Sequence, residues 1–251
     1  GWDRNALFLA IKGGDNMATH GHLNMGSFVL DAMGERWATH LGGDRYSNPG
    51  YFRKGERNSM GYQYYRVRAE GQNTLLINPD SLSDQIPRAK SRIINYHSQE
   101  DRAFTVIDMS EAYAHEAEQV IRGCIIFDNR TKILLRDEIV CQKPSHIYWF
   151  MHTPSHIEVS KSGKSALLTQ NGKKLQAELF CSDQNARFSI MDAVPLPTSP
   201  LSKYNRPNTG IRKLTISIDG VQKVDISVVF SPVTDVSKAI NPAEIRAISE
   251  W

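Results

Sequence analysis

Apolar and polar residues alternate over short runs, and Gly, Asn, Asp or Pro punctuate the gaps between them. That pattern predicts strands joined by tight turns. Runs at 7–11, 28–33, 37–41, 75–77, 91–96, 104–109, 120–127, 132–141, 147–152, 166–170, 175–181, 188–191, 211–218 and 221–230 fit it. Gly34 separates the second from the third, and the turn 128–131 separates 120–127 from 132–141. Asn171-Gly172 lies between 166–170 and 175–181, and Asn-Gly is the strongest short hairpin signal. Asp219-Gly220 reads as one more hairpin turn, between 211–218 and 221–230. Only 110–119 and 242–248 read as helical, and both are short. Strands at short intervals predict an all-β fold, a large antiparallel β-sandwich filling 1–251 as one domain.

Two long loops interrupt the strands. Residues 42–63 hold five Gly, and 193–210 hold four Pro. Loops of such length inside a compact domain are usually functional. Tyr46, Tyr51 and Arg53 on the first are therefore candidate substrate contacts.

Composition adds limits. The 251 residues are 40% hydrophobic and 23% charged, as in ordinary globular domains. Net charge is +3, a mild excess that suits an acidic polymer. No Lys/Arg run argues for nucleic acid. No apolar run approaches the roughly eighteen residues that a spanning helix needs, so no membrane insertion is expected. Cys124, Cys141 and Cys181 have no metal spacing and are odd in number, which excludes a disulfide framework. Cys124 and Cys141 lie in apolar runs and read as small buried hydrophobes. The chain opens on Gly1-Trp2 with a strand close behind, and reads as an excised or processed fragment.

Candidate chemistry gathers around the first hairpin. His20 and His22 precede its first strand and His40 ends its second. Folding the hairpin brings His22 and His40 together, and an extended H-x-H pair points both rings one way. Three imidazoles at one sheet edge are the site expected from this spacing. His146, His152 and His156 flank Tyr148-Trp149-Phe150 and read as structural, with sugar stacking the rival use of that aromatic strand.

The run from His20 to Ala38, H-G-H-L-N-M-G-S-F-V-L-D-A-M-G-E-R-W-A, followed by L-G-G-D-R-Y, resembles the opening of the β-sandwich domain of heparinase II/III-like polysaccharide lyases. Tyr64 to Pro79 resembles that domain's next signature, and the two cover roughly 12–80. The resemblance implies cleavage of uronic-acid-containing polysaccharide, a glycosaminoglycan or alginate, by β-elimination. It implies a periplasmic or secreted protein, and a helical toroid N-terminal to this domain as its partner. His20 takes the place of the catalytic histidine, and an imidazole ionises near neutral pH, as proton transfer requires. Tyr51 is a candidate acid. Zinc ligands in the family map to His22, to His40 where an Asp is usual, and to Gln72 where a His is usual. The expected zinc site is thus weakened, and its role would be to brace the loop bearing His20. Asn24 replaces a more usual Asp. Arg66 joins Tyr46 and Arg53 as a substrate-binding candidate through its guanidinium. Two rivals remain: a non-catalytic carbohydrate-binding or structural relative with a degraded metal site, and an unrelated metal-dependent β enzyme.

Overall fold

The computed structural model describes residues 3–234, 240 and 245–251. Alternation places the strands. In β12 (Lys173–Cys181), Leu175, Ala177 and Leu179 turn inward between more exposed neighbours. Before it, Asn171 and Gly172 both adopt positive φ (50° and 76°), the geometry of a two-residue hairpin turn. Met33 and Gly34 repeat it (55° and 77°) between β3 (Phe28–Ala32) and β4 (Glu35–Ala38).

The remaining strands are β1 (Phe8–Ile11), β2 (Gly14–Asp15), β5 (Leu75–Ile77), β6 (Lys90–Ser98), β7 (Ala103–Asp108), β8 (Ala117–Phe127), β9 (Lys132–Thr153), β10 (His156–Val159), β11 (Ser165–Gln170), β13 (Phe188–Asp192) and β14 (Arg212–Pro232). One sheet runs β1-β3-β4. The other runs β10-β11-β12-β14-β9-β8-β7-β6-β2, with β13 added to β14 and β5 to β9. All pairings among the described residues are antiparallel. The small sheet closes on the large one through a shared apolar core. Phe28 packs against Trp149 and Phe230, with ring centroids 5.8 and 6.4 Å apart. The expected all-β sandwich is what the chain forms.

Three local expectations need correction. The runs 211–218 and 221–230 do not fold back on each other. Both pair with β9, Leu214 with Met151 and Val228 with Leu135, so they form one long strand. Asp219-Gly220 sits at a register shift between Ile218 and Val221 and acts as an irregularity, not a reversal. By the same pairing, 132–141 and 147–152 merge into β9. The helix expected at 110–119 is a single 3-10 turn, Ser110–Tyr113, because Ala117 and Gln119 already pair with Cys141 and Val140. The helix expected at 242–248 falls partly on residues outside those described, and Ile248–Glu250 forms a 3-10 turn. Cys124 and Cys141 are buried and all three cysteines are free. Among the described residues no helix is long and apolar enough to cross a membrane.

Candidate functional site

The site is built on the segments entering and leaving the β3–β4 hairpin, together with the loop that follows. A buried ion pair underpins it. Arg122 and Asp137 face each other on β8 and β9 and bond in bidentate fashion, at 2.7 and 2.8 Å. The remaining guanidinium nitrogen donates to the carbonyls of Gly26 and Asn73 (2.6 and 3.2 Å). One cation thus fixes the floor of two chain segments at once.

Asn73 carries the bracket further. Its Nδ2 donates to the Phe28 and Thr39 carbonyls, and its Oδ1 accepts from the His152 backbone amide. Oδ1 also faces His152 Nδ1 at 3.1 Å, so Nδ1 bears the proton and Nε2 accepts from the Tyr65 hydroxyl at 2.8 Å. Burial holds this imidazole neutral, far below its ordinary range. His152 is therefore structural, as expected, but it lies beneath the candidate site.

Of the three expected imidazoles, two converge directly. His22 and His40 stack with ring centroids 5.7 Å apart, nearly parallel. Burial, then the Lys54 ammonium, then His40 and Lys12 push the His22 pKa down to about 3. Burial, Arg66 and Lys12 lower that of His40. His40 Nδ1 accepts from the Gly42 amide at 3.0 Å.

His20 does not share their face. Its φ of +59° breaks the extended geometry assumed for H-x-H and turns it to the surface. There it stacks on Tyr46 (5.4 Å, 19°) and meets the edge of Phe52 at 5.7 Å. Tyr46 and Phe52 are 58% and 52% exposed, so this is an open aromatic lip. Tyr51 lies under the lip, 2% exposed, touching both aromatics. Burial raises the pKa of its phenol, whose oxygen is enclosed. Gly43 permits this closeness, since a Cβ there would lie 2.9 Å from the Tyr51 oxygen and 3.8 Å from His22 Nε2.

The other candidates separate. Arg66 is committed to carbonyls: it donates to Leu41, to Pro207 and to the Asn208 side chain, tying the 41–43 segment to the second long loop. Arg53 is exposed on the lip loop, its guanidinium 3.8 Å from Met60 Sδ. Gln72 is buried; its Nε2 donates to the Arg66 carbonyl and its Oε1 has no partner among the described residues. No group of three or more His, Cys, Asp or Glu fit to hold a metal occurs among the described residues. Asn24 is buried with its Oδ1 unpartnered.

Sequence reading overlooked Lys12, Asp44, Phe52 and Lys54. Phe52 could have been flagged as an aromatic beside Tyr51. Asp44 lies within the L-G-G-D-R-Y stretch, whereas Lys12 and Lys54 are loop charges with no signal of their own.

Residues 1–232 match the family Heparinase II/III-like, C-terminal, and the chain belongs to that family. Its fold is shared with a heparinase III gene product (TM-score 0.70, 15% identity), over 93% of this chain and 34% of that one. It is shared equally with a mutant of the heparan sulfate lyase HepC from Pedobacter heparinus (TM-score 0.69, 16% identity), over 95% and 35%. The chain thus spans about a third of the length of these structures. No match was found among curated protein sequences.

Proposed function

We propose that this domain forms the β-sandwich part of a lyase that cleaves uronic-acid-containing polysaccharide by β-elimination, outside the cytoplasm, with a helical toroid as its other half. The observation that carries the reading is the placement of His20: exposed, held between Tyr46 and Phe52, at the lip beside the paired imidazoles.

β-Elimination removes the proton alpha to the uronate carboxylate, and the 4-linked oxygen then leaves as it gains a proton. The enolate-like intermediate needs fixed donors. His20 supplies a proton-transfer group within reach of a chain lying on the lip. The faces of Tyr46 and Phe52 suit the apolar faces of sugar rings, and Arg53 on the same loop suits a carboxylate. Arg66 serves by positioning the 41–43 segment. Tyr51, protonated and enclosed, meets substrate only where Tyr46 moves aside. The remaining acid and enolate donors fall to the toroid.

The full-length protein, incubated with heparan sulfate and with alginate, should generate the ultraviolet absorbance of unsaturated uronate ends, and His20→Ala should abolish it. A second reading, a carbohydrate-binding relative without turnover, is favoured by Gln72 in place of a histidine. Glycan binding unchanged by His20→Ala, with no unsaturated product from any uronate polymer, would replace the first reading with the second.

A further inference from the structure

We propose that the second long loop is the other half of the glycan site, with Lys203, Tyr204 and Arg206 forming a subsite for the acid groups of a polyanionic sugar chain that lies across Tyr46; the identity of the chain rests on the lyase reading. Residues 204–206 are fastened along 44–48. The Tyr204 carbonyl accepts from Asn48 Nδ2 at 3.3 Å, and the Arg206 amide donates to Asp44 Oδ1 at 2.9 Å. Between those two bonds the 44–48 segment carries the exposed Tyr46 ring, so the second loop and the lip share one rim. Behind them the Tyr65 amide donates to Asn205 Oδ1 at 3.0 Å, and Arg66 holds the Pro207 carbonyl and the Asn208 side chain. The bonds that fasten the loop use its backbone and its asparagines. Lys203, Tyr204 and Arg206 stay exposed, the Lys203 ammonium 5.2 Å from the centre of the Tyr204 ring. An aromatic ring between two cations offers a face to a sugar and donors to the acid groups on either side of it.

Charge is the second ground. Residues 42–66 and 193–210 hold seven cations against two anions, so their net +5 exceeds the +3 of the whole chain. Three of the cations are spent: Lys54 on the Gly21 carbonyl, Arg57 on Asp80, and Arg66 on the Leu41 carbonyl. Arg45, Arg53, Lys203 and Arg206 are exposed, and none forms an ion pair with a described residue. Of the two anions, Asp44 is buried and Glu56 is paired with Arg88 at 3.3 Å. Four uncompensated cations on two adjoining loops, with no free exposed carboxylate in either, attract a polyanion.

The test uses the full-length protein on immobilised heparin, and in turnover of heparan sulfate and of alginate. Lys203→Ala with Arg206→Ala keeps the backbone amide that holds Asp44, so the melting temperature should not move. This loop variant should leave heparin at lower salt and raise KM about five-fold, with kcat changed by less than about two-fold. Lys161→Ala with Lys223→Ala removes two exposed charges outside both loops and should change neither retention nor KM. A larger rise in KM on heparan sulfate than on alginate assigns the subsite to sulfate groups, and an equal rise assigns it to carboxylates. Retention lost in the loop variant of a protein that forms no unsaturated product supports the subsite and removes the lyase reading alone. Unchanged retention and KM in the loop variant, or an equal loss in the Lys161 and Lys223 variant, overturns the proposal.

Discussion

At the scale of residues, the most consequential side chain in the scaffold is Arg122. It is fully buried, paired with Asp137, and shared between Gly26 and Asn73. Truncating one member of such a pair leaves a desolvated charge without compensation. Arg122→Met should therefore cost about 3–5 kcal/mol in urea unfolding. Arg122→Met with Asp137→Leu should recover part of that loss. Arg122, the single charge in 120–127, was a visible hint of a buried cation, but its partner Asp137 stands between Arg136 and Glu138 and was not marked out. The stacking of His22 on His40 was also legible, because a hairpin turn at Gly34 forces its flanks together. The outward turn of His20 was not: a left-handed φ at a non-glycine residue leaves no mark in a pattern of polar and apolar positions. Nor does sequence show that the Lys12 ammonium is enclosed.

At the scale of elements, β9 and β14 show where local patterns mislead. Asp219-Gly220 is ideal turn chemistry, yet the flanking runs find better partners along β9 than in each other. Tertiary pairing overrode the local signal. Gly220 still adopts φ +67°, and a Cβ there would meet no atom within 4 Å. Gly220→Ala should thus cost about 1 kcal/mol, the backbone penalty alone. A loss several times larger in thermal or urea unfolding would mean that the substitution disturbs the register on both sides of the shift. The true hairpins, at Met33-Gly34 and Asn171-Gly172, were read correctly because no competing strand lies beside both of their arms. The short helix expected at 110–119 failed for the reason that also undid the hairpin, since β8 begins within it.

At the scale of the whole molecule, buried bases set the response to pH. His22 (about 3), His40 and His152 all bind protons less readily folded than unfolded, chiefly because of burial. Below about pH 6.5 the unfolded chain takes up protons that the folded one refuses, so stability falls as pH drops. Glu70 and Asp84, raised by burial, oppose this only at lower pH, where carboxylates titrate. Lys213 is buried over the Phe150 ring, and desolvation lowers its pKa to about 8. Between about pH 8 and 10 it is protonated when unfolded and neutral when folded, so stability rises with pH. Above that, Tyr62 and Tyr113, both near 12, and Tyr65 reverse the trend, because only the unfolded phenols ionise. Melting temperatures from pH 5 to 11 should peak on the alkaline side, and Lys213→Met should flatten the rise between 8 and 10.

The long strand β14 also bears on how the domain comes into being. β9 meets β8 across a four-residue turn, but its opposite edge waits for residues as distant as Phe230, which pairs with Ile133. A chain leaving the ribosome therefore exposes an open, apolar strand margin until nearly all of this domain has been synthesised. Closure must come late and involve many residues together, because contacts so remote in sequence form slowly. Until β14 arrives, that margin is where a neighbouring nascent chain could add itself, so the interval before closure is when this domain is most prone to aggregate.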